Sequence, residues 1–225
     1  LLSRRQRQMC IRDRLTRLKA NSQYRPCVDE KPYFSWVLTS EKKNVMQTSY
    51  HITVTDPEEV VWDSGIVESD KSIFVEYAGP PLKSLCEYRW TVTVTDNTGD
   101  SAVASSSFET GFMQKEWSAQ WVRSPFPMKK AKKGTGGQNA AEYFRKAFVV
   151  RDRVRWARVY ATCHGAYQLS INGTRPDDRE FAPEFTVYSK YLCYQTYDIT
   201  PLLQTGENVI GMLVGCLLYT SDAAD

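Results

Sequence analysis

The feature that most constrains this chain is a two-residue alternation of apolar and polar side chains within short segments. Segments 32–38, 49–55 and 87–95 show it and are rich in aromatic and β-branched residues. Successive side chains of a strand point to opposite faces, so this pattern is typical of strands with one buried face. The sequence lacks the long helical periodicity of an α/β enzyme and has no apolar run long enough to span a membrane. These features predict an all-β chain.

Residues 15–112 are predicted to form the first domain. About seven short strands at this spacing favour an immunoglobulin-like β-sandwich of the fibronectin type III kind. Residues 96–99 predict a hairpin turn, because Asn and Gly tolerate positive φ. Residues 81–88 resemble the fibronectin type III corner, where a tyrosine hydroxyl bonds back to nearby backbone. Trp36 is expected in the core, and a sugar-stacking role for Trp36 or Trp90 is the alternative.

Residues 140–215 are predicted to form a second, jelly-roll-like β-sandwich. Strands are expected at 144–150, 155–162, 166–171 and 209–214. Asn172-Gly173 predicts a tight hairpin turn. One helical turn is expected nearby. Asp198 or Thr200 would cap it, Pro201 would lie in its first turn, and Gly206 would end it.

Residues 113–139 are predicted to connect the two domains. Trp117 and Trp121 are expected to anchor the junction. The loop at 128–139 contains four lysines and three glycines, which is typical of a solvated loop. A phosphate-binding loop is the alternative, but the GxxxxGK[ST] order is absent.

The two ends differ from the body of the chain. Residues 1–14 carry five arginines and one aspartate, and residues 216–225 carry two aspartates. Both ends resemble translated sequencing-adaptor read-through flanking a gene assembled from environmental DNA, and we interpret both as artefacts. An ordinary basic N-terminus and a polar C-terminus are the alternative. The body has nearly balanced charge and no basic stripe, so no nucleic-acid partner is expected. The N-terminal residues lack the apolar run of a signal peptide.

The body contains four cysteines, none of them in a CxxC pair: Cys27, Cys86, Cys163 and Cys193. His164 follows Cys163, but no further ligands are closely spaced with it, so a zinc site is not expected. Buried, small apolar side chains are favoured for these cysteines, and a disulfide stays open.

Two ordered sets of motifs carry a family resemblance. The first set is KPYFSW at 31–36, VWDSG at 61–65, YAGPPL at 77–82 and YRW at 88–90. The second set is GAYQLSING at 165–173, FAP at 181–183, YQTYDIT at 194–200 and GEN at 206–208. In this order they resemble the N-terminal region of bacterial α-L-rhamnosidases of glycoside hydrolase family 78. The resemblance covers nearly all of residues 15–215.

The resemblance implies β-sandwich domains in front of an (α/α)₆ barrel that removes terminal α-L-rhamnose from glycosides or polysaccharides with inversion. Inversion needs one carboxylic acid and one carboxylate, and in the family both come from the barrel, which would begin after residue 225. We therefore assign no catalytic, cofactor-binding or metal-binding residue and expect the fragment to be inactive. The rhamnose-containing glycan would bind the barrel, and these domains would pack on it. A periplasmic or extracellular location is favoured.

The chain departs from the family pattern in two places. Residues 184–188 replace the Gly-Trp-Thr-Asp-Tyr that tends to follow Ala-Pro, which leaves any ligand contact of this loop in doubt. The Gly-Asp-Gly-Trp-Tyr stretch expected after the strand that follows GEN is missing, so the second domain is expected to be incomplete.

Two other functions stay open. A carbohydrate-binding module could hold calcium and rhamnose through oxygen ligands from Asn172, Asp177, Asp178 and Glu180. A fibronectin-like adhesion or scaffold protein would need repeated similar units, and the two segments share no motif. The acidic residues Glu142, Asp177, Asp178, Glu180 and Glu184 are expected to be solvated loop carboxylates. Asn172-Gly173-Thr174 matches the N-glycosylation pattern, but the tight turn explains these residues.

Overall fold

The computed structural model describes residues 14–113, 115–125, 141–184 and 187–215. These residues form β-strands and one 3₁₀ turn, which confirms the all-β prediction. The chain divides into two compact units, Leu1–Gln120 (unit 1) and Trp121–Asp225 (unit 2). Residues 1–13, the loop at 128–139 and residues 216–225 lie outside the described residues, so the predictions made for them stay predictions.

The described part of unit 1 contains eight strands in two sheets. The strands are β1 Arg14–Ala20, β2 Cys27–Val28, β3 Tyr33–Thr39, β4 Gln47–Thr55, β5 Val60–Glu68, β6 Val75–Glu76, β7 Glu87–Asp96 and β8 Ser101–Thr110. One sheet has the order β1-β3-β6 and the other β2-β8-β7-β4-β5. The alternating segments of the sequence correspond to β3, β4 and β7. Arg14, which the sequence placed in the N-terminal segment, is already part of β1 and pairs with Thr39.

Aromatic side chains fill the core of unit 1. Phe34, Trp36, Trp90 and Phe108 are each at most 1% exposed. Phe34 stacks on Trp90 with 4.5 Å between ring centroids, and Trp36 Nε1 donates to Gln47 Oε1 at 2.9 Å. A ring without an exposed face cannot stack on a sugar, so the sugar-stacking alternative for Trp36 and Trp90 is wrong.

The fibronectin type III-like corner predicted at residues 81–88 of unit 1 is present. The Tyr88 hydroxyl accepts a hydrogen bond from Lys83 N at 2.8 Å, and Leu82 is buried beside it. Burial raises the pKa of Tyr88, which keeps the hydroxyl neutral. This local bond fixes the approach of the chain to β7, as the fibronectin-type corner predicts.

Unit 2 contains five described strands and one 3₁₀ turn. They are β9 Glu142–Val150, β10 Arg158–Ala161, β11 Ala166–Ile171, β12 Gln195–Asp198, Thr200–Leu202 as the 3₁₀ turn, and β13 Gly206–Gly215. The sheets have the orders β11-β13-β9 and β10-β12, and side chains from both form one core. The strand predicted at 155–162 is shorter, because only four of those residues pair with β12.

The helical turn of unit 2 corrects part of the prediction. Pro201 lies in its first turn, as predicted, but Ile199 occupies the N-cap position. The Asp198 carboxylate accepts from Thr200 N at 2.9 Å. Gly206 does not end this turn: it has φ +101° and begins β13. The turn is only three residues long and passes directly into extended backbone at Leu203.

Candidate functional site

The acidic loop of unit 2 is held by arginines. The Asp177 carboxylate accepts from Arg179 N at 3.1 Å and pairs with the Arg179 side chain. The Glu180 carboxylate accepts from Arg175 Nη1 at 2.7 Å and from Gln168 Nε2 at 3.1 Å. The Arg175 bond, followed by the Gln168 bond, lowers the pKa of Glu180. Both carboxylates are therefore paired with arginines of the same loop.

Arg179 also fixes this loop to β12. Its guanidinium donates to Thr196 O at 2.9 Å and bonds the Gln195 side chain. The same group lies 4.6 Å from the centroid of the Tyr197 ring, a cation–π distance. These contacts with three consecutive residues of β12 orient the loop.

Two tyrosines continue this network into the core. Tyr197 Oη donates to Tyr167 Oη at 3.0 Å, and Tyr167 Oη donates to Ala161 O at 3.1 Å. Burial is the largest cause that raises the pKa of both hydroxyls. They are neutral donors that satisfy core polar groups, rather than activated nucleophiles.

The four oxygen ligands of the calcium hypothesis are not presented together. Asp177 and Glu180 are ion-paired with arginines, and the Asn172 side chain bonds residues 202, 208 and 209. Asp178 is exposed. Within the described ranges, no group of three or more His, Cys, Asp or Glu residues could hold a metal ion. The arrangement gives the calcium hypothesis no support.

Asn208 is the centre of a buried polar network in unit 2. It is fully buried, and its Nδ2 donates to Gln204 O at 2.7 Å and to Gly206 O at 3.0 Å. Its Oδ1 accepts from Gln204 N at 3.0 Å and from Asn172 Nδ2 at 2.9 Å. All four hydrogen-bonding positions of this amide are satisfied, as burial requires.

Asn172 is the other half of that network. It lies in the predicted tight turn with φ +52°, followed by Gly173 at φ +81°. Its Nδ2 also donates to Leu202 O at 3.0 Å, and its Oδ1 accepts from Val209 N at 2.8 Å. The motifs GAYQLSING and GEN are thus connected by the hydrogen bond between Asn172 and Asn208. The amide nitrogen that the glycosylation pattern would modify is engaged in it.

The motifs of unit 1 meet in a similar way. Tyr77 Oη donates to Pro80 O at 2.8 Å, and Trp62 meets the Tyr77 ring edge-on at 5.0 Å. A Cβ at Gly79 would lie 2.5 Å from Tyr77 Oη and 2.7 Å from Trp62 Cβ. Only glycine fits there without a shift, which explains why VWDSG and YAGPPL occur together.

Asp56 is a buried polar anchor of unit 1. Its carboxylate accepts from Glu58 N and Glu59 N, both at 2.9 Å, and from Lys83 Nζ at 2.8 Å. The Lys83 bond, followed by these two backbone bonds, lowers the pKa of Asp56 to about 2. In the sequence, only the Asp56-Pro57 dipeptide, which favours a turn, marks this position.

The connector tryptophans each contact an aromatic ring of their own unit. In unit 1, Trp117 stacks on Phe112 with centroids 4.3 Å apart. In unit 2, Trp121 meets His164 edge-on at 4.9 Å, and His164 stacks on Tyr188 at 4.6 Å. Trp121 is nevertheless 67% exposed.

The cysteines and the remaining acidic residues show no reactive arrangement in the part of the chain that the structure describes. Cys86, Cys163 and Cys193 are free thiols, so the disulfide alternative is wrong for these three. Of the four cysteines, only Cys163 is buried, whereas Cys27 is exposed, so the expectation of buried cysteines is wrong for Cys27. Burial raises the pKa of Cys163 to about 11, which disfavours a thiolate. Glu142 was expected in a loop but is the first residue of β9. Glu184 is an exposed loop residue with φ +80°.

Comparison with known protein families gives two matches in sequence order. Residues 15–114 match the Rha78A-like, N-terminal immunoglobulin domain, and residues 152–225 match the alpha-L-rhamnosidase N-terminal domain. Strand β9 precedes the second match, yet it pairs with β13 from Glu142 to Val150 and completes the same sheet.

Individual relatives carry the same description. An alpha-L-rhamnosidase of Formosa agariphila is 32% identical over 214 residues, which cover 84% of this chain and 22% of the relative. The solved α-L-rhamnosidase of Dictyoglumus thermophilum is 32% identical with a TM-score of 0.81, over 92% of this chain and 25% of that one. The corresponding enzyme of Aspergillus terreus is 26% identical with a TM-score of 0.78, over 90% and 24%.

These findings define the class as a tandem of an immunoglobulin-like domain and a second β-sandwich of the rhamnosidase N-terminal type. The chain corresponds to the N-terminal region of an α-L-rhamnosidase. It spans about a quarter or less of the length of the relatives it matches.

Proposed function

We propose that this chain supports an inverting α-L-rhamnosidase, in which another part of the polypeptide hydrolyses terminal α-L-rhamnose from glycosides or polysaccharides. The observation that carries the proposal is that the motif residues contact other parts of their own domain. Tyr77, Gly79, Asn172 and Asn208 are engaged in packing and internal hydrogen bonds, so the motifs build the two sandwiches. The described part of this chain is a scaffold in the proposal, and it has no turnover of its own.

The chemistry of the carboxylates supports this assignment. An inverting glycosidase needs a protonated carboxyl group as the general acid, which requires a raised pKa. Among the candidate acids of the loop, the pKa of Glu180 is lowered by its Arg175 and Gln168 bonds. Asp177 is bound to Arg179. A carboxyl group with a lowered pKa, such as Glu180, is unsuited to protonate a leaving oxygen near neutral pH.

The remaining part of the enzyme is the intramolecular context of these domains. In the proposal, that part binds the rhamnose-containing glycan, and the two sandwiches pack against it. No helix among the described residues is long and apolar enough to cross a membrane.

A domain exchange tests the proposal. Residues 14–215 of this chain would replace the matched region of the Formosa agariphila relative, and nitrophenyl α-L-rhamnoside hydrolysis would be measured. We expect the chimera to be folded and active, while a variant of the relative that lacks the region loses soluble, active enzyme. A chimera that performs no better than that deletion variant would refute the proposed function.

A further inference from the structure

Asn172 is the only asparagine of this chain that a glycine follows. Such an asparagine is open to spontaneous deamidation, because glycine has no side chain to hinder its own amide nitrogen. Gly173 N loses its proton and bonds Asn172 Cγ, while the Cγ–Nδ2 bond breaks and ammonia leaves with that proton. Water then opens the five-membered succinimide at either carbonyl and leaves aspartate or isoaspartate. The reaction needs no co-reactant except water.

The backbone of the turn opposes this ring closure. Ile171 N donates to Thr174 O at 2.8 Å, and Thr174 N donates to Ile171 O at 2.9 Å. The two residues between them, Asn172 and Gly173, have φ +52° and +81°, as in a type I′ turn. A left-handed residue has a ψ of about +45°, which turns the following amide nitrogen away from its own Cβ. Ring closure requires the opposite arrangement, with Gly173 N beside the Asn172 side chain.

The Asn172 side chain is held in place as well. Its Nδ2 donates to Leu202 O at 3.0 Å and to Asn208 Oδ1 at 2.9 Å, and its Oδ1 accepts from Val209 N at 2.8 Å. Both hydrogens of the amide and its oxygen are therefore bonded to residues 30 to 37 positions further along the chain. Asn208 is itself fully buried. Asn172 Cγ reaches Gly173 N only when these bonds open.

The product of the reaction does not fit the same network. An ionised aspartate side chain has acceptor oxygens and no donor, so Leu202 O and Asn208 Oδ1 both lose the donor that Asn172 supplies. Isoaspartate in addition lengthens the backbone by one methylene inside a two-residue turn. A buried acceptor that loses its donor costs stability. Deamidation would therefore prevent the network from closing again.

We propose that Asn172 is a deamidation site that the folded unit 2 keeps unreactive, and that its modification makes opening of the Asn172–Asn208 network irreversible. The opening equilibrium of the network sets the reaction rate, because the ring closes only in the open form. Each modified molecule is thus one whose network has opened at least once. This inference concerns the lifetime of the folded domain, and it does not depend on the proposed function.

Deamidation of the unsubstituted 225-residue chain tests the proposal. The chain would be held at mildly alkaline pH in buffer and in unfolding urea, and deamidation at Asn172 followed by peptide mapping with mass spectrometry. Hydrogen exchange of the Val209 amide, which donates to Asn172 Oδ1, measures opening of the network. We expect deamidation to be at least about tenfold slower in the folded chain, with a protection no smaller than that of the Val209 amide. Equal rates in buffer and urea, or a smaller protection than that of Val209, would overturn the proposal.

A pair of substitutions tests the part played by Asn208. Asn208→Ala removes one acceptor of the Asn172 amide, and Glu207→Ala changes its exposed neighbour as the control. In buffer we expect Asn172 to deamidate at least about fivefold faster in the Asn208→Ala chain than in the control, and in urea at the same rate. If Asn208→Ala unfolds unit 2, its rate in buffer should equal its rate in urea. A rate that stays at the control value in buffer contradicts the proposal.

The deamidated chain itself tests irreversibility. Conversion of Asn172 adds a negative charge, so ion-exchange chromatography separates the modified chain from the unmodified one. We expect the modified chain to unfold at a lower Tm, and its Val209 amide to exchange faster in buffer, because the bonds of Asn172 to Leu202 and Asn208 are lost. An unchanged Tm together with unchanged Val209 exchange would show that the network closes again, and the proposal would be wrong.

Discussion

The two units bury different kinds of side chains. The largest fully buried side chains of unit 1 are aromatic or aliphatic, with Trp36 and Trp90 the largest, whereas Asn208 and Ile171 hold this place among the described residues of unit 2. Unit 1 therefore has the larger aromatic core. Both units also bury hydrogen-bonded polar side chains, among them Gln47, Asp56 and Thr110 in unit 1 and Asn208 in unit 2. A buried group that loses its hydrogen-bond partner costs stability in either unit.

The outward sheet faces of the two units are mixed. The main sheet of unit 1 presents hydroxyl groups together with exposed Ile66 and Val103. The three-stranded sheet of unit 2 presents Tyr143, Val149 and Leu213 together with Arg145 and Glu207. The two units therefore differ more in their cores than on these faces.

The largest expected effect tests the apolar core of unit 1. Trp90→Ala removes a fully buried ring that stacks on Phe34, so we expect unit 1 to lose about 3–5 kcal/mol in urea unfolding. Val103→Ala, on the outward face of the same sheet, is the control and should change stability little. A loss below about 1 kcal/mol for Trp90→Ala would contradict an apolar origin of this stability.

The next effect tests the hydrogen-bond network around Asn208 in unit 2. Asn208→Ala leaves Gln204 N and the carbonyls of Gln204 and Gly206 without their side-chain partner. We expect a loss of about 2–3 kcal/mol in the transition of unit 2, the cost of unsatisfied buried groups. The exposed neighbour Glu207→Ala is the control. Equal effects of the two substitutions would show that the network contributes nothing specific.

A smaller effect tests the corner of unit 1. Tyr88→Phe keeps the ring and removes the acceptor of the Lys83 amide, so we expect a loss of about 1 kcal/mol by thermal unfolding. Tyr24→Phe changes a tyrosine that is 63% exposed and should be neutral. If both variants match the wild type, the corner bond does not stabilise unit 1.

The smallest effect concerns acid stability. The folded-state pKa of Asp56 is about 2 and lies below its ordinary value, so its contribution is present above the unfolded pKa and is lost as pH falls from about 4 through about 2. Asp56→Asn should lower the Tm near neutral pH and weaken the fall of Tm in this acid window. Parallel Tm-against-pH curves for the two proteins in that window would rule out a role for this carboxylate.

The sequence predicted the strands whose side chains alternate most regularly, namely β3, β4 and β7. It missed β1 and β12. It also missed β2 and β6, which have only two residues each, and β5, whose pairing with β4 contains register shifts beside Gly65. Alternation is lost at such positions, because a bulge moves the following side chains to the other face.

The interactions of the candidate site were less predictable than the fold. The motifs around Asn172 and Asn208 were recognised in the correct order, but their contact joins residues 36 positions apart. The pairing of Asp177 with Arg179 and of Arg175 with Glu180 depends on the loop path. Spacing alone left these acids open as calcium ligands, and only the fold shows them bound to arginine.

In our proposal, this chain is part of a rhamnosidase and does not itself perform the reaction. Nitrophenol release from nitrophenyl α-L-rhamnoside by the purified 225-residue chain tests it most directly, with the Formosa agariphila relative assayed in parallel to establish sensitivity. We predict release at the uncatalysed rate at every chain concentration. Release that rises in proportion to the chain concentration would contradict the account.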